Sequence, residues 1–166
     1  IFELMGNYAR QQFFTLLDAN TIFVKESFAL PEKLALPQLS DPIDKSLYER
    51  EASMNKFEQR MIMAIAALEN VHFWHRNLER GKGFYLNGYQ QNHYPDFIIR
   101  TFKGTTILLE TKGDDRDNED SRRKNELGRR WAEKAGEKFK YFMVFDTKEV
   151  SNTHTSKNIL KVLGDL

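Results

Sequence analysis

The chain has 166 residues, of which 40% are hydrophobic and 30% charged, and its formal net charge is +1. This balance is typical of one globular domain with room for an appendage, and it excludes a polycation, so any nucleic-acid binding must come from a local basic patch. The absence of cysteine excludes disulfides, thiolate nucleophiles and thiolate metal sites, and it fits a reducing cytoplasm. No apolar run is long enough to span a bilayer, and no signal peptide is visible.

We expect residues 1–42 to form an appendage or the end of a preceding domain. Apolar residues at helical spacing predict a helix over 6–18. The run TIFVKESFAL (21–30) is a possible strand, and two prolines then mark a break near residue 42. Because the sequence starts at Ile1 rather than at a methionine, we also expect a fragment of a longer protein.

The remaining residues, 43–166, are expected to form one domain with its core at 53–146. Helical and strand periodicities predict the first elements of this domain. In chain order they are a short helix over 43–51, a strongly periodic helix over 53–69, a strand over 71–76, an optional strand over 82–86 and a polar loop over 88–93.

Glu58 lies in the first turn of the helix predicted over 53–69, which Ser53 or Asn55 could cap. One interpretation is a carboxylate favoured near the positive end of the helix dipole. The other is an acidic residue that faces a functional site. The local pattern leaves both interpretations open.

The stretch His93–Lys112, HYPDFIIRTFKGTTILLETK, predicts a β-hairpin, because two runs rich in β-branched and aromatic residues flank a Lys-Gly break. A three-residue loop over 102–104 places Asp96 opposite Glu110, with Cβ atoms roughly 5 Å apart. Period-two alternation puts Lys112 on the face of Glu110. A two-residue turn would shift the pairing by one and separate the carboxylates, so the register is itself a prediction.

Two carboxylates and a lysine at one end of a buried hairpin need a compensating partner, because unpaired buried charge is costly. A divalent cation is such a partner, and hard oxygen ligands favour Mg²⁺, for which Mn²⁺ can substitute. Plainer interpretations also exist: Asp96 could shape the start of a strand, and Glu110 and Lys112 could form an ion pair at a sheet edge. The convergence of all three residues favours the metal.

After the hairpin the sequence predicts a charged helix over 119–136, a buried strand over 139–145 and a closing helix over 155–163. The basic residues of the first of these helices have two interpretations. They could belong to a solvated helix of mixed charge, or they could face phosphates beside the hairpin. Under the second interpretation the candidate DNA contacts are Arg123, Lys124 and Arg130.

This order of elements, with these residues, resembles the PD-(D/E)XK nuclease superfamily. Pro95-Asp96 stands for the PD part, and Glu110-Thr111-Lys112 stands for the (D/E)XK part. The resemblance covers roughly residues 53–146. It implies an α/β fold with a restriction-endonuclease-like core, in which helices flank a central mixed β-sheet.

The resemblance also implies a role for each matching residue. Asp96 and Glu110 would bind the metal, with the carbonyl of Thr111 as a further oxygen ligand. Lys112 would orient or help to deprotonate the attacking water, or would neutralise developing charge. The sequence does not separate these roles of Lys112.

Other residues are assigned by the same resemblance. Superfamily members often carry another acidic residue on the first core helix, and Glu58, with Glu51 as the alternative, fits that place. They often carry a basic or amide residue on the helix after the hairpin, where Lys124 would contact the scissile phosphate. Apart from the resemblance, we also expect His75, Arg76 and the loop over 90–93 to line the DNA cleft.

A narrower resemblance points to the C-terminal endonuclease domain of type III restriction enzyme Res subunits and related helicase-nucleases. It rests on the runs FWHRN (73–77), YPDF (94–97), LLETKGD (108–114) and RKNELGRRW (123–131). It implies double-stranded DNA as substrate, an ATP-driven helicase or translocase domain in the same longer chain, and a DNA methyltransferase subunit as a partner.

Three other functions remain open at the level of sequence. The first is a catalytically inactive nuclease-fold module that binds DNA or acts as a scaffold. The second is an exonuclease or RNA-cleaving relative with the same core chemistry. The third is a metal protein that is not a nuclease, which the basic helix disfavours.

Overall fold

The computed structural model describes residues 1–25 and 28–166, and in this part of the chain helices flank a mixed β-sheet of five strands. The helices are α1 (Phe2–Asp18), α2 (Lys56–Ala66), α3 (Glu119–Ala135) and α4 (Ser156–Gly164), with a 3-10 turn at Asp114–Arg116. The strands are β1 (Val71–Arg76), β2 (Phe97–Thr101), β3 (Thr106–Lys112), β4 (Phe139–Phe145) and β5 (His154–Thr155), and they lie side by side in that order. The α/β class and the mixed sheet predicted from the sequence are therefore confirmed.

Strands β1, β2 and β3 are antiparallel neighbours, whereas β3, β4 and β5 run parallel. A parallel pair needs a long crossover, and α3 supplies it between β3 and β4. Strand β3 is central, and residues 107–111 within it are all buried. Such a continuous buried run is expected where both faces of a strand are covered.

The β2–β3 hairpin has the predicted register. Phe97 pairs with Leu109, and one step further outward the same register sets Asp96 opposite Glu110. This pairing is the one that a three-residue loop over 102–104 requires. The two carboxylates therefore belong to the same end of the hairpin.

Alternation along the strands divides the core into two clusters, one on each face of the sheet. Trp74 and Ile107, both 0% exposed, pack against α2 and α4. Leu108 and Leu127 pack together on the opposite face, under α3. Because Glu110 alternates in phase with Leu108, its side chain belongs to the α3 face.

Residues 43–51 do not form the predicted helix. They run beside β1, where the indole Nε1 of Trp74 donates to the carbonyl of Asp44 at 2.8 Å. The backbone amide of Trp74 also donates to the carbonyl of Lys45, and that of Leu47 donates to Trp74. These long-range bonds satisfy the backbone in place of a helix, and no local pattern encodes them.

Two further possible strands are not formed. Residues 82–86 make only an isolated bridge, between Leu86 and His93. No strand forms over 21–25 or 28–30, and residues 26 and 27 lie outside the described part of the chain. Strand β5 is absent from the sequence predictions because two residues are too few to show a period.

Helix α1 packs against α3. Arg130 donates to Oδ1 of Asp18 at 2.5 Å, and its guanidinium lies over the ring of Phe14. Leu17 is 5% exposed, which makes it the buried anchor of α1. Neither α1 nor any other helix of the described residues is long and apolar enough to cross a bilayer. The division at residue 42 stays a prediction.

Candidate active site

Asp96 lies directly before β2 and is held by the neighbouring strand. Its Oδ2 accepts from the backbone amide and from the hydroxyl of Thr111, each at 2.7 Å. These bonds fix the orientation of the carboxylate, whose other oxygen, Oδ1, accepts from Nη1 of Arg76 at 3.0 Å. Thr111 therefore orients Asp96 through its amide and hydroxyl, a role that the sequence does not predict.

Glu110 is buried beside Lys112 and keeps one oxygen without a partner. Its side chain is 4% exposed, and Oε1 lies 2.6 Å from Nζ of Lys112. Oε2 makes no hydrogen bond. Burial, followed by the charge of Asp96, raises the pKa of Glu110 to about 8 against the opposing effect of Lys112. The carboxylate therefore has the capacity for a further cation.

Arg76, the last residue of β1, joins the two other carboxylates of this region. Nη1 donates to Oδ1 of Asp96 at 3.0 Å and to its carbonyl at 2.8 Å. Nη2 donates to Oε1 of Glu58 at 3.1 Å. Burial raises the pKa of Glu58, and the guanidinium of Arg76 counteracts this rise.

One oxygen of Glu58 caps its own helix, and the other faces Arg76. Its Oε2 accepts from the backbone amide of Asn55 at 3.0 Å, and the side chain of Asn55 accepts from the amide of Glu58 at 2.9 Å. This reciprocal capping box starts α2. The other oxygen of Glu58 reaches the site through Arg76.

Helix α3 adds an ion pair beside the hairpin. Nζ of Lys124 lies 2.8 Å from Oδ2 of Asp120. The side chain of Gln91 donates to the other oxygen of Asp120 at 2.9 Å, which ties the 88–93 loop to α3. The charge of Lys124 lowers the pKa of both Glu110 and His93, so Lys124 lies within electrostatic reach of the site.

His93 is a buried, neutral imidazole next to these charges. It is 2% exposed, and Nε2 lies 2.9 Å from the hydroxyl of Tyr141. Burial, followed by Lys124 and Lys112, lowers its pKa to about 3. The sequence offers no local signal for this pair, because its members are 48 residues apart.

Three of the residues assigned to DNA binding differ in their surroundings, and His75 is the buried one of the three. His75 is 1% exposed, with Nδ1 2.9 Å from Oε2 of Glu51, so the expectation that it lines a DNA-contacting surface does not fit. Glu51, the alternative to Glu58, is engaged in that pair. Arg130 binds Asp18 of α1. Arg123 lines an open groove of about 790 Å³ along α1 and α3.

The residues that meet at the hairpin end form what we call the hairpin-end cluster: Glu58, Arg76, Asp96, Glu110, Thr111 and Lys112. Its three carboxylates face two cations, which leaves a formal charge of −1 when all are ionised. Hard oxygen donors and the unpartnered Oε2 of Glu110 fit a divalent cation of the Mg²⁺ type. Within the described residues no three His, Asp or Glu side chains converge as a ready-made ligand set; Arg76 instead joins Glu58 to Asp96.

Comparisons of the chain with models of protein families, with curated proteins and with solved structures gave no match.

Proposed function

We propose that this chain is a Mg²⁺-dependent endonuclease domain that hydrolyses phosphodiester bonds in double-stranded DNA, in the cytoplasm. The observation that carries the proposal is the meeting of Asp96, Glu110 and Lys112 at one end of the β2–β3 hairpin, where Oε2 of Glu110 is buried without a partner. The order α2, β1, β2, β3, α3, β4 supports a restriction-endonuclease-like core and the resemblance to the PD-(D/E)XK superfamily.

Asp96 and Glu110, with the carbonyl of Thr111, would hold Mg²⁺ or Mn²⁺. When bound, such an ion acidifies a coordinated water and neutralises charge on the phosphate. The donors of Thr111 keep the Asp96 carboxylate oriented for this task. Glu58 would act from outside the ligand set, through its hydrogen bond with Arg76.

Lys112 would act as a cation. Burial lowers its pKa, but the charge and hydrogen bond of Glu110 outweigh this effect, so the pKa lies above its usual value. A protonated amine is a poor base and a good donor. With Nζ 2.6 Å from Oε1 of Glu110, Lys112 would hold the attacking water or donate to a phosphate oxygen.

The proposal also covers the substrate contact and the partners of the domain. Lys124, on α3, would contact the scissile phosphate once substrate competes for its ion pair with Asp120. The resemblance to type III Res subunits adds an ATP-driven helicase or translocase domain in the same longer chain. It also adds a DNA methyltransferase subunit that would supply sequence recognition.

A cleavage assay tests the proposal and separates it from its alternatives. Supercoiled plasmid, linear duplex, single-stranded DNA and RNA would each be incubated with Mg²⁺, Mn²⁺ or EDTA. We expect metal-dependent nicking of the plasmid by the natural protein and none by Asp96→Asn. The matched control is Asp115→Asn, whose carboxylate is 82% exposed and outside the cluster.

Each alternative predicts its own pattern. Cutting of linear ends alone would indicate an exonuclease, and cutting of RNA alone would indicate an RNA-cleaving relative. DNA binding by folded, metal-loaded protein without any cutting would indicate an inactive module. Plasmid cleavage that survives Asp96→Asn would reject the proposed site.

A further inference from the structure

Arg76 binds Asp96, a proposed metal ligand, and Glu58, which lies outside the ligand set, at the same time. It reaches Oδ1 of Asp96 through Nη1 at 3.0 Å and Oε1 of Glu58 through Nη2 at 3.1 Å. Its guanidinium carbon lies 5.2 Å from the ring centroid of Phe97, and the side chain is 16% exposed. The guanidinium is thus fixed by two charged hydrogen bonds and an aromatic face.

The atom that both Arg76 and a metal ion would bind is Oδ1 of Asp96. The other oxygen, Oδ2, already accepts two hydrogen bonds from Thr111. A divalent ion on Oδ1 would therefore lie beside a guanidinium, and the two positive charges would repel each other in a partly buried setting. A metal ion and Arg76 would therefore compete for this oxygen, and their repulsion would weaken binding of the ion.

We propose that Arg76 is an internal competing cation, which neutralises Asp96 and Glu58 in the metal-free protein and yields Oδ1 of Asp96 when a divalent ion binds. Arg76 thereby raises the ion concentration that the site needs. The inference rests on the proposed function, since it requires a metal site at Asp96 and Glu110. It adds a means by which the protein itself sets the metal dependence.

Titration calorimetry with MnCl₂ in the absence of DNA tests the competition. Removing the charge in Arg76→Met should tighten Mn²⁺ binding about tenfold, because one charge-assisted hydrogen bond no longer has to be broken. Arg76→Lys keeps a charge but cannot span both carboxylates, so its affinity should fall between those of Arg76→Met and the natural protein.

Arg60→Met is the matched control. Arg60 also pairs with a carboxylate, Asp146 at 2.6 Å, and lies 5.3 Å from the ring centroid of Phe57. The substitution removes the same charge and a similar stacking contact outside the hairpin-end cluster. Its Mn²⁺ affinity should equal that of the natural protein.

Thermal unfolding gives a second readout that needs no activity. Without metal, Arg76→Met should melt below the natural protein, because Glu58 and Asp96 lose their shared cation. With saturating Mn²⁺ its melting temperature should rise by more than that of the natural protein. Asp96→Asn should lose Mn²⁺ binding in the calorimeter, which locates the ion.

The possible outcomes separate this inference from the function on which it rests. Equal or weaker Mn²⁺ affinity in folded Arg76→Met, with binding still lost in Asp96→Asn, overturns the competition and leaves the metal site standing. Absence of Mn²⁺ binding in every variant overturns both. If Arg76→Met does not fold, Arg76→Lys decides, since an affinity no tighter than that of the natural protein also overturns the competition.

Discussion

The amide and the hydroxyl of Thr111 donate to the same oxygen of Asp96, each at 2.7 Å. This contact crosses from β3 to the residue that precedes β2, and it holds the carboxylate before any ligand arrives. Hydrogen bonds from neighbouring residues commonly orient the carboxylates that bind a metal. Thr111 is therefore expected to affect metal binding through Asp96 as well as through its own carbonyl.

Thr111→Val removes the hydroxyl donor and keeps the β-branched shape and the amide. We expect Mn²⁺ affinity to fall about tenfold and the free energy of unfolding to fall by about 1 kcal/mol. Calorimetry and urea denaturation measure the two effects. Thr106→Val is the control, because that hydroxyl lies at the other end of β3 and bonds Arg100. If Thr111→Val binds Mn²⁺ as tightly as the natural protein, the Thr111 hydroxyl does not orient Asp96 for metal binding.

Glu110 makes stability depend on pH. Its pKa is raised from 4.5 to about 8, so the folded state holds this proton more tightly than the unfolded state. Its contribution is fully present below about pH 4.5 and is lost as the pH rises toward 8. Between these pH values the free energy of unfolding of Glu110→Gln should fall less than that of the natural protein. Urea denaturation at a series of pH values measures both falls.

The control for this experiment is Glu133→Gln, whose side chain is 60% exposed. It should follow the pH dependence of the natural protein. A profile of Glu110→Gln that is superimposable on the natural one would contradict a buried, proton-binding Glu110.

His93 produces the opposite dependence at lower pH. Its pKa is lowered from 6.5 to about 3, so the unfolded state takes up the proton first. The stability that neutral His93 provides is present above pH 6.5 and is lost as the pH falls toward 3. His93→Gln, which cannot ionise, should lose less stability over this range. The exposed His72 on β1 supplies the control His72→Gln, and equal slopes for both variants would contradict the assignment.

Gly128 allows α3 to approach β4. A Cβ at this position would lie 2.3 Å from the ring of Tyr141, which is the partner of His93. Gly128→Ala should therefore lower the free energy of unfolding by about 1–3 kcal/mol, despite the better helix propensity of alanine. Gly164→Ala meets no atom within 4 Å and should be neutral or stabilising. Thermal unfolding compares the two, and equal stability would show that the ring moves aside freely.

The sequence predicts the hairpin and its register because both depend on local patterns. Two local features determine which side chains face each other. They are the alternation along the strands Phe97–Thr101 and Thr106–Lys112 and the fixed length of the loop between them. The opposition of Asp96 and Glu110 follows from that register alone. The bounds of β1 and β4 follow equally from short apolar runs.

Other features depend on contacts between distant segments. Arg76 is expected from the sequence to meet DNA, yet it binds Glu58 and Asp96, which come from two other elements. Residues 43–51 read as a helix, but hydrogen bonds with Trp74 hold them beside β1. Periodicity predicts which face of an element is buried, but it does not predict which polar side chain from another element contacts that face.

The most direct test of the central claim is the single-turnover rate of plasmid cleavage in Mg²⁺ for Asp96→Asn and Lys112→Met. Their controls are Asp115→Asn and Lys138→Met, since the side chain of Lys138 donates to the carbonyl of Lys103, in the loop at the other end of the hairpin. We predict losses of about 100-fold or more in the first two variants and natural rates in the controls. Natural rates in folded Asp96→Asn or Lys112→Met would contradict a nuclease site at the end of the β2–β3 hairpin.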